Sequence, residues 1–403
     1  CNPCFLPVEA LALQVWMNER RAGSDDAGFE QDHDTSRAHE EVSDHEVYDE
    51  LGFAVPASGD PLQAYAQEFE PKARRRLQRF QVQRQKLAAP GQWLPSTAKG
   101  NLKKMLRKGV PGSLRGEVWW SVLGCEARQQ RSPRAYSQYL QQDLDSKPSE
   151  EIERDLPRTF PNHRNFRTEM GRSQLRNVLR AFASYTPLVR YCQGLNFIAA
   201  VLLIVFSDEE RAFWALVCAI DGLGVEGYYA EGMVLLRADM LVLQEILDQK
   251  CPRVAERFRG QNIDLMSICS EWYVTWFAKC LPVPTMLRVW DALFFEGFKV
   301  MFRVSLGIFR RAEADILQLP SFDQLMEHAK EWPKSQIEHN ELIKASFSDS
   351  LVHPLRRRVL VRARDDALFK VEREDEDRRR RIQVARERRL QARAESAPAR
   401  QRQ

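Results

Sequence analysis

The sequence predicts an all-α protein: a multi-helix domain flanked by charged N- and C-terminal tails. Three observations carry that expectation. Apolar residues recur at helical spacing, as in "GRSQLRNVLRAFASYTP", where Leu175, Val178, Leu179 and Phe182 fall on one stripe. Helix-start signatures precede several such segments. Alternating β-rich runs bounded by hairpin turns are scarce throughout.

The elements follow from the N-terminus. Residues 24–50 are acidic and poor in aliphatics. Such a stretch buries too little apolar surface to offset the entropy of ordering, so residues 1–60 read as a largely disordered acidic segment. His33, His39 and His45 lie in it, but Ser43 stands four residues after His39 where a zinc-binding helix would place a second histidine. Residues 61–100 read as a basic helical lead-in, with Leu77, Phe80 and Val82 as a partial apolar stripe, then a loop through Pro90-Gly91 and Pro95-Ser96.

The dense helical region spans 101–335. Pro187 ends the helix that carries the Leu175 stripe. In "SDEERAFWALVCAI", Ser207 and Glu210 occupy capping-box positions, and Gly222 and Gly224 punctuate the end. "RADMLVLQEILDQKCP" is amphipathic and closes before Pro252, and Ser321 and Gln324 repeat the box. Trp119, Trp214, Trp276 and Trp290 read as core. Residues 336–403 form a charged, Arg-rich tail without a sustained heptad seam, expected to be solvated and partly helical.

Composition narrows the function classes. Of 403 residues, 60 are Lys or Arg and 56 are Asp or Glu, and a net charge of +4 implies no particular partner. Without aromatics interleaved in the Arg-rich stretch 370–403, nucleic acid is not an expected ligand. The longest apolar run, Leu195–Phe206, is shorter than the roughly 18 residues of a membrane span. Eight scattered cysteines suit a reducing compartment, and Cys1-Asn2-Pro3-Cys4 lacks the second pair a zinc site would use. The expected location is the cytoplasm, with peripheral attachment to endomembranes through the basic tail as a second use of that tail. Phosphate-binding loops, dinucleotide fingerprints, nucleophile elbows and kinase motifs are missing. The chain is therefore expected to carry no nucleotide, metal or other cofactor of its own.

Three polar clusters interrupt the helical region. "GVPGSLRGEVWW" sets Arg115 beside Gly116, with Trp119 one turn onward. "EIERDLPRTFP" spaces Ile152, Asp155 and Arg158 at three-residue intervals, with Pro157 breaking the turn so that Arg158 sits at a helix end. "YCQGLN" sets Tyr191, Gln193, Gly194 and Asn196 against the apolar run. Arginine supplies a permanently charged planar fork and glutamine both a donor and an acceptor, which is what hydrolysis of a bound GTP requires of its surroundings. The residues alone leave the alternatives open: Arg158 pairs equally well with a carboxylate, and Gln193 with a helix end.

These clusters resemble the TBC (Tre-2/Bub2/Cdc16) domain family, the GTPase-activating proteins for Rab-type small GTPases. "GVPGSLRGEVW" resembles the opening Arg-Gly-x-x-Trp block, "IERDLPR" the I-x-x-D-x-x-R motif and "YCQGLN" the Y-x-Q-G-x-N motif. "SEWYVTWFAKCLP" and "RVWDALFFEG" follow in family order, and "VYDELGF" and "EGYYAEGMVLLRADM" add to the likeness. The resemblance implies an all-helical domain that supplies Arg158 as an arginine finger and Gln193 as a glutamine finger to a GTP-bound Rab. Asp155 would hold Arg158, Tyr191, Gly194 and Asn196 would shape the Gln193 loop, and Arg115 with Trp119 would anchor the first helix, Arg115 near the GTPase. GTP and Mg²⁺ would belong to the GTPase. The alternative is a non-catalytic Rab-binding or scaffold module in membrane traffic.

Overall fold

In the computed structural model, residues 48–49, 51–54, 75, 77–82, 99–186, 189–347 and 355–396 are described. All of them fall within one compact unit, Val47–Gln403. His33, His39, His45, Pro90-Gly91, Pro95-Ser96, Pro187 and the Cys1–Cys4 pair lie outside the described residues.

Helices follow one another with short connections. They are α1 (Lys99–Lys108), α2 (Gly112–Leu123), α3 (Cys125–Arg131), α4 (Tyr136–Leu140), α5 (Ser146–Asp155), α6 (Arg164–Arg167) and α7 (Glu169–Tyr185). Next come α8 (Leu195–Phe206), α9 (Glu209–Leu223), two single 3₁₀ turns at Glu226–Tyr228 and Glu231–Met233, α10 (Val234–Lys250), α11 (Pro252–Gly260) and α12 (Leu265–Val274). The series closes with α13 (Val283–Glu296), α14 (Lys299–Arg311), α15 (Glu313–Gln318), α16 (Phe322–His328), α17 (Glu331–Lys334), α18 (His339–Phe347) and the 40-residue α19 (Arg357–Ser396). The described β pairing is limited to the isolated bridges Tyr48–Ala54 and Phe53–His163. No described helix is long and apolar enough to cross a membrane.

α8 organises the body. It is apolar on every side, and a helix of that kind must be covered all round. Leu195 to Leu203 and Phe206 are buried accordingly, between α7, α9 and α2. The predicted stripe of α7 is buried in full: Leu175, Val178, Leu179 and Phe182. The four tryptophans Trp119, Trp214, Trp276 and Trp290 are core residues.

One cap differs from expectation. Ser207 does not cap α9; it ends α8 in the left-handed conformation (φ 52°), and Asp208 accepts from the Arg211 N–H at 2.7 Å. Two adjacent capping-type residues compete there, and the carboxylate, which also complements the helix dipole, takes the cap. Ser321 caps α16 as expected, through the Gln324 N–H.

Packing extends past residue 335. α18 lies against α14, and the first half of α19 lies against α10. Leu360, Arg364, Ala367 and Val371 of α19 are buried at 4-3-4 spacing, whereas residues 376–391 are exposed. The solvated-tail expectation thus fits the far half of α19 but not its near half. Likewise Tyr48 and Asp49, inside the acidic stretch 24–50, are folded against the domain rather than disordered. Of the lead-in residues, Phe80 is buried with Leu106, Val110 and Val118, and Val82 is exposed.

Candidate functional site

The three sequence clusters do not all meet. The Asp155–Arg158 and Tyr191–Asn196 clusters come together at an open cleft of about 960 Å³, lined by α5, Arg158, residues 189–193 and residues 229–233. Arg115 does not line it. Its guanidinium is pinned by Asp291 Oδ1 (3.2 Å) and the Val110 carbonyl (2.7 Å), and Asp291 also accepts from Trp119 Nε1 (2.9 Å) and the Val110 N–H (2.7 Å). Burial pushes the Asp291 carboxyl up, and Arg115 and these donors oppose that shift. Arg115 thus fastens α2 to α13.

Arg158 stands on the turn that ends α5. Pro157 prevents the helix from continuing, and Leu156 is its C-cap. Ile152 and Asp155 share the buried face, as their spacing requires. The Arg158 side chain is 51% exposed and pairs with the Asp155 carboxylate, itself 3% exposed. Thr159 locks the turn by donating its hydroxyl to the Asp155 carbonyl at 2.7 Å.

Gln193 is exposed at the opposite side of the same network. With Gly194 it forms the centre of a turn closed by the Leu195 N–H on the Cys192 carbonyl (3.2 Å). Gly194 has φ +114°, and a Cβ there would stand 2.4 Å from Val274 Cγ1. Positive φ and close approach both demand glycine. The Gln193 side-chain amide finds no hydrogen-bond partner among the described residues, so it is free to face outward.

Two links tie the halves together. Tyr191 donates its hydroxyl to Asp155 Oδ2 at 2.5 Å, so one carboxylate serves both Tyr191 and Arg158. Burial, then the hydrogen bond to Asp155, drives the Tyr191 hydroxyl far above its usual range, keeping it a donor. Buried Asn196 forms the second link. Its Oδ1 accepts from the Gly194 N–H (2.9 Å) and its Nδ2 donates to Thr159 Oγ1 (2.7 Å). The side chains of Asp155, Thr159, Tyr191 and Asn196 are thereby committed between the two turns, while Arg158 and Gln193 stand exposed at the cleft.

The sequence reading missed Thr159 and the Tyr229–Val274 contact, in which the Tyr229 hydroxyl donates to the Val274 carbonyl at 3.0 Å. Thr159 had a signal, being a hydroxyl residue adjacent to Arg158. Tyr229 had only its place in "EGYYAEG". Cys192 also borders the cleft, but burial pushes its thiol up to about 11, away from the low range of thiolate nucleophiles. Among the described residues no group of His, Cys, Asp and Glu is arranged to hold a metal.

A wholly helical body that projects an arginine and a glutamine into one open cleft, over a buried carboxylate and amide, defines a helical domain of the TBC type. Comparisons with known proteins agree. The Rab-GTPase-TBC domain family matches residues 112–317, about half of the chain, and the chain belongs to that family. It is 33% identical over 331 residues to human TBC1 domain family member 2A, covering 79% of this chain but 35% of that protein. It is 34% identical over 292 residues to Xenopus laevis growth hormone-regulated TBC protein 1, covering 72% of this chain and 84% of that one. The crystal structure of the Chlamydomonas flagellar RabGAP TBC domain superposes with a TM-score of 0.65 at 28% identity, over 75% of this chain and 99% of that one. The chain therefore spans about a third of the length of the TBC1 domain family member 2A proteins, and most of the growth hormone-regulated protein.

Proposed function

We propose that this protein is a GTPase-activating protein for a Rab-family GTPase, supplying Arg158 and Gln193 in trans to a GTP-bound partner. The observation that carries this reading is the shared anchoring of two exposed side chains: Asp155 with Tyr191, and Thr159 with Asn196, hold the Arg158 and Gln193 turns in one rigid unit. Charge builds on phosphate oxygens during hydrolysis, and a guanidinium set there stabilises it. A glutamine amide accepts from and donates to the attacking water in the same act. Preorganisation is the chain's contribution, since groups fixed before docking lose little entropy in the transition state. On this reading Arg158 exchanges Asp155 for the phosphate as the partner docks, and GTP with its Mg²⁺ arrives on the GTPase. The exposed Arg-rich end of α19 supplies peripheral attachment to anionic endomembranes from the cytoplasmic side.

The test is single-turnover GTP hydrolysis across a panel of purified Rab GTPases, with wild type, Arg158→Ala and Gln193→Ala in parallel. An arginine finger is worth about 10³ to 10⁵ in rate, so its loss is unmistakable. Acceleration that collapses in Arg158→Ala establishes both activity and substrate. Binding to some Rabs without acceleration of any would replace this reading with the non-catalytic module.

A further inference from the structure

A short N-terminal turn is docked on the segment that follows Arg158, and it lies outside the span matched to the family, 112–317. Asp49 builds the turn: its Oδ1 accepts from the Leu51 and Phe53 N–H groups, both at 2.9 Å, and its N–H donates to the Phe53 carbonyl at 2.9 Å. Three hydrogen bonds then fasten it to residues 162–164. The Ala54 N–H reaches the Asn162 carbonyl (3.0 Å), the Arg164 N–H reaches the Gly52 carbonyl (2.9 Å), and His163 Nε2 meets the Leu51 carbonyl (2.8 Å). His163 Nδ1 accepts from the Asn165 N–H at 3.2 Å, so the ring proton sits on Nε2 and is donated to Leu51. Gly52 fits because it has φ +90° and because a Cβ there would meet His163 Nε2 at 2.9 Å.

The ring of Phe53 makes the consequential contact. It stands edge-on to Phe160 at 5.5 Å and to His163 at 4.8 Å. Phe160, two residues after Arg158, has φ 45°, a left-handed conformation that a bulky residue holds only when its surroundings impose it. Its other neighbour is Phe197 at 5.3 Å, on the first turn of α8 directly behind Gln193 and Gly194. Phe53, Phe160 and Phe197 thus form an aromatic row whose middle member carries the Arg158 turn and whose last member carries the Gln193 turn.

We propose that the turn formed by Tyr48, Asp49 and residues 51–54 is a positioning element for Arg158, and that Phe53 acts by holding Phe160 in its left-handed conformation against Phe197. This rests on the reading of Arg158 as an arginine finger. The Asp155, Thr159 and Asn196 network holds residues that flank Arg158 on both sides. The Phe53 clasp fixes the Arg158 turn further toward its C-terminal side. Removing the clasp loosens the finger without touching the partner-facing lip of the cleft.

The experiment uses the full chain and the Rab that wild type activates, comparing wild type, Phe53→Ala, Phe53→Tyr, Gly52→Ala and Arg158→Ala. Displacement of a catalytic group costs rate rather than binding, so Phe53→Ala and Gly52→Ala are expected to lower kcat about tenfold with KM within about twofold. Phe53→Tyr, which keeps the ring edge, restores kcat. Hydrogen exchange of the 156–164 amides quickens in both low-activity variants, while that of α7 and α8 stays as in wild type. If Arg158→Ala is inactive but Phe53→Ala and Gly52→Ala match wild type in kcat, the positioning role is overturned and the finger reading stands. If both variants lose activity only in proportion to a global loss of folded protein, with exchange faster throughout, the role is likewise overturned. If wild type activates no Rab, the finger reading fails first, and this inference with it.

Discussion

Tyr191 and Arg158 share one carboxylate. The Tyr191 hydroxyl donates to Asp155 Oδ2 at 2.5 Å while the Arg158 guanidinium pairs with Oδ1, so the turn bearing Gln193 and the turn bearing Arg158 are joined through a single buried side chain. A hydrogen bond to a charged group contributes about 1.5–3 kcal/mol. Tyr191→Phe removes that donor and leaves the ring in place. The variant is expected to lose about 2 kcal/mol in urea unfolding. It should also retain Rab binding while hydrolysis slows, because Asp155 then grips Arg158 alone and releases it less readily. Unchanged stability together with unchanged hydrolysis would refute the shared-carboxylate link.

Gly194 makes a sharper case, because two physical requirements coincide there. With φ +114°, any other residue is strained by about 1–3 kcal/mol. Its Cβ would in addition lie 2.4 Å from Val274 Cγ1. Gly194→Ala must therefore push the turn off α12 and take Gln193 with it. The expected outcome is a fall in activity at least as deep as that of Gln193→Ala, read by the same single-turnover assay, with Rab binding largely kept.

These two sites also show what the sequence could disclose. A glycine between Gln193 and Leu195, ahead of an unbroken apolar run, announces a tight turn on a buried helix, and both are found. Pro157 announces a helix end beneath Arg158. The Leu175 stripe of α7 is legible because helical spacing alone decides which face is buried. Contacts between distant segments carry no such period. Arg115 and Asp291 are separated by 176 positions, and nothing local says that the arginine turns inward to α13 rather than toward a partner. The pairing of Tyr191 with Asp155 likewise arises only when two loops meet. At α9 the expected cap is Ser207, but Ser207 ends α8 in the left-handed conformation and Asp208 takes the cap instead.

Glu296, the last residue of α13, gives a pH prediction. Burial alone would raise its carboxyl, but hydrogen bonds from Arg107 (2.5 and 2.8 Å) and the charges of Arg107, Lys103 and Lys299 outweigh it and hold the group below its ordinary value of 4.5. A carboxyl lowered on folding adds stability above its unfolded pKa, and loses it as pH falls through the folded one. Glu296→Gln should therefore cost about 2 kcal/mol at pH 7. Unfolding curves of variant and wild type should then converge as pH is taken below 4.5, the ordinary value. A gap independent of pH would show that Glu296 acts through packing instead.

The two halves of α19 should answer truncation differently. Arg364 enters the domain and meets Asp239 with two hydrogen bonds, Nε to Oδ1 at 2.7 Å and Nη2 to Oδ2 at 2.6 Å. Its guanidinium also lies over the Phe298 ring at 3.7 Å, and the Tyr228 hydroxyl donates to the same carboxylate. Burial raises the Asp239 carboxyl even with Arg364 beside it. Ending the chain before Arg357 would strip that cation away and bare the α10 face covered by Leu360, Ala367 and Val371. Breaking a buried ion pair from one side costs about 3–5 kcal/mol before the apolar loss is added, so this truncation should fail to fold or melt far below wild type. Ending it after Asp375 keeps every residue of the helix that is buried among those described, as well as the Arg237–Asp375 pair at 2.7 Å. That truncation should melt with wild type in thermal unfolding and, on the proposed role of the tail, no longer bind anionic vesicles at low salt. Equal stability of the two truncations would mean that the contact between α19 and α10 contributes nothing to the fold.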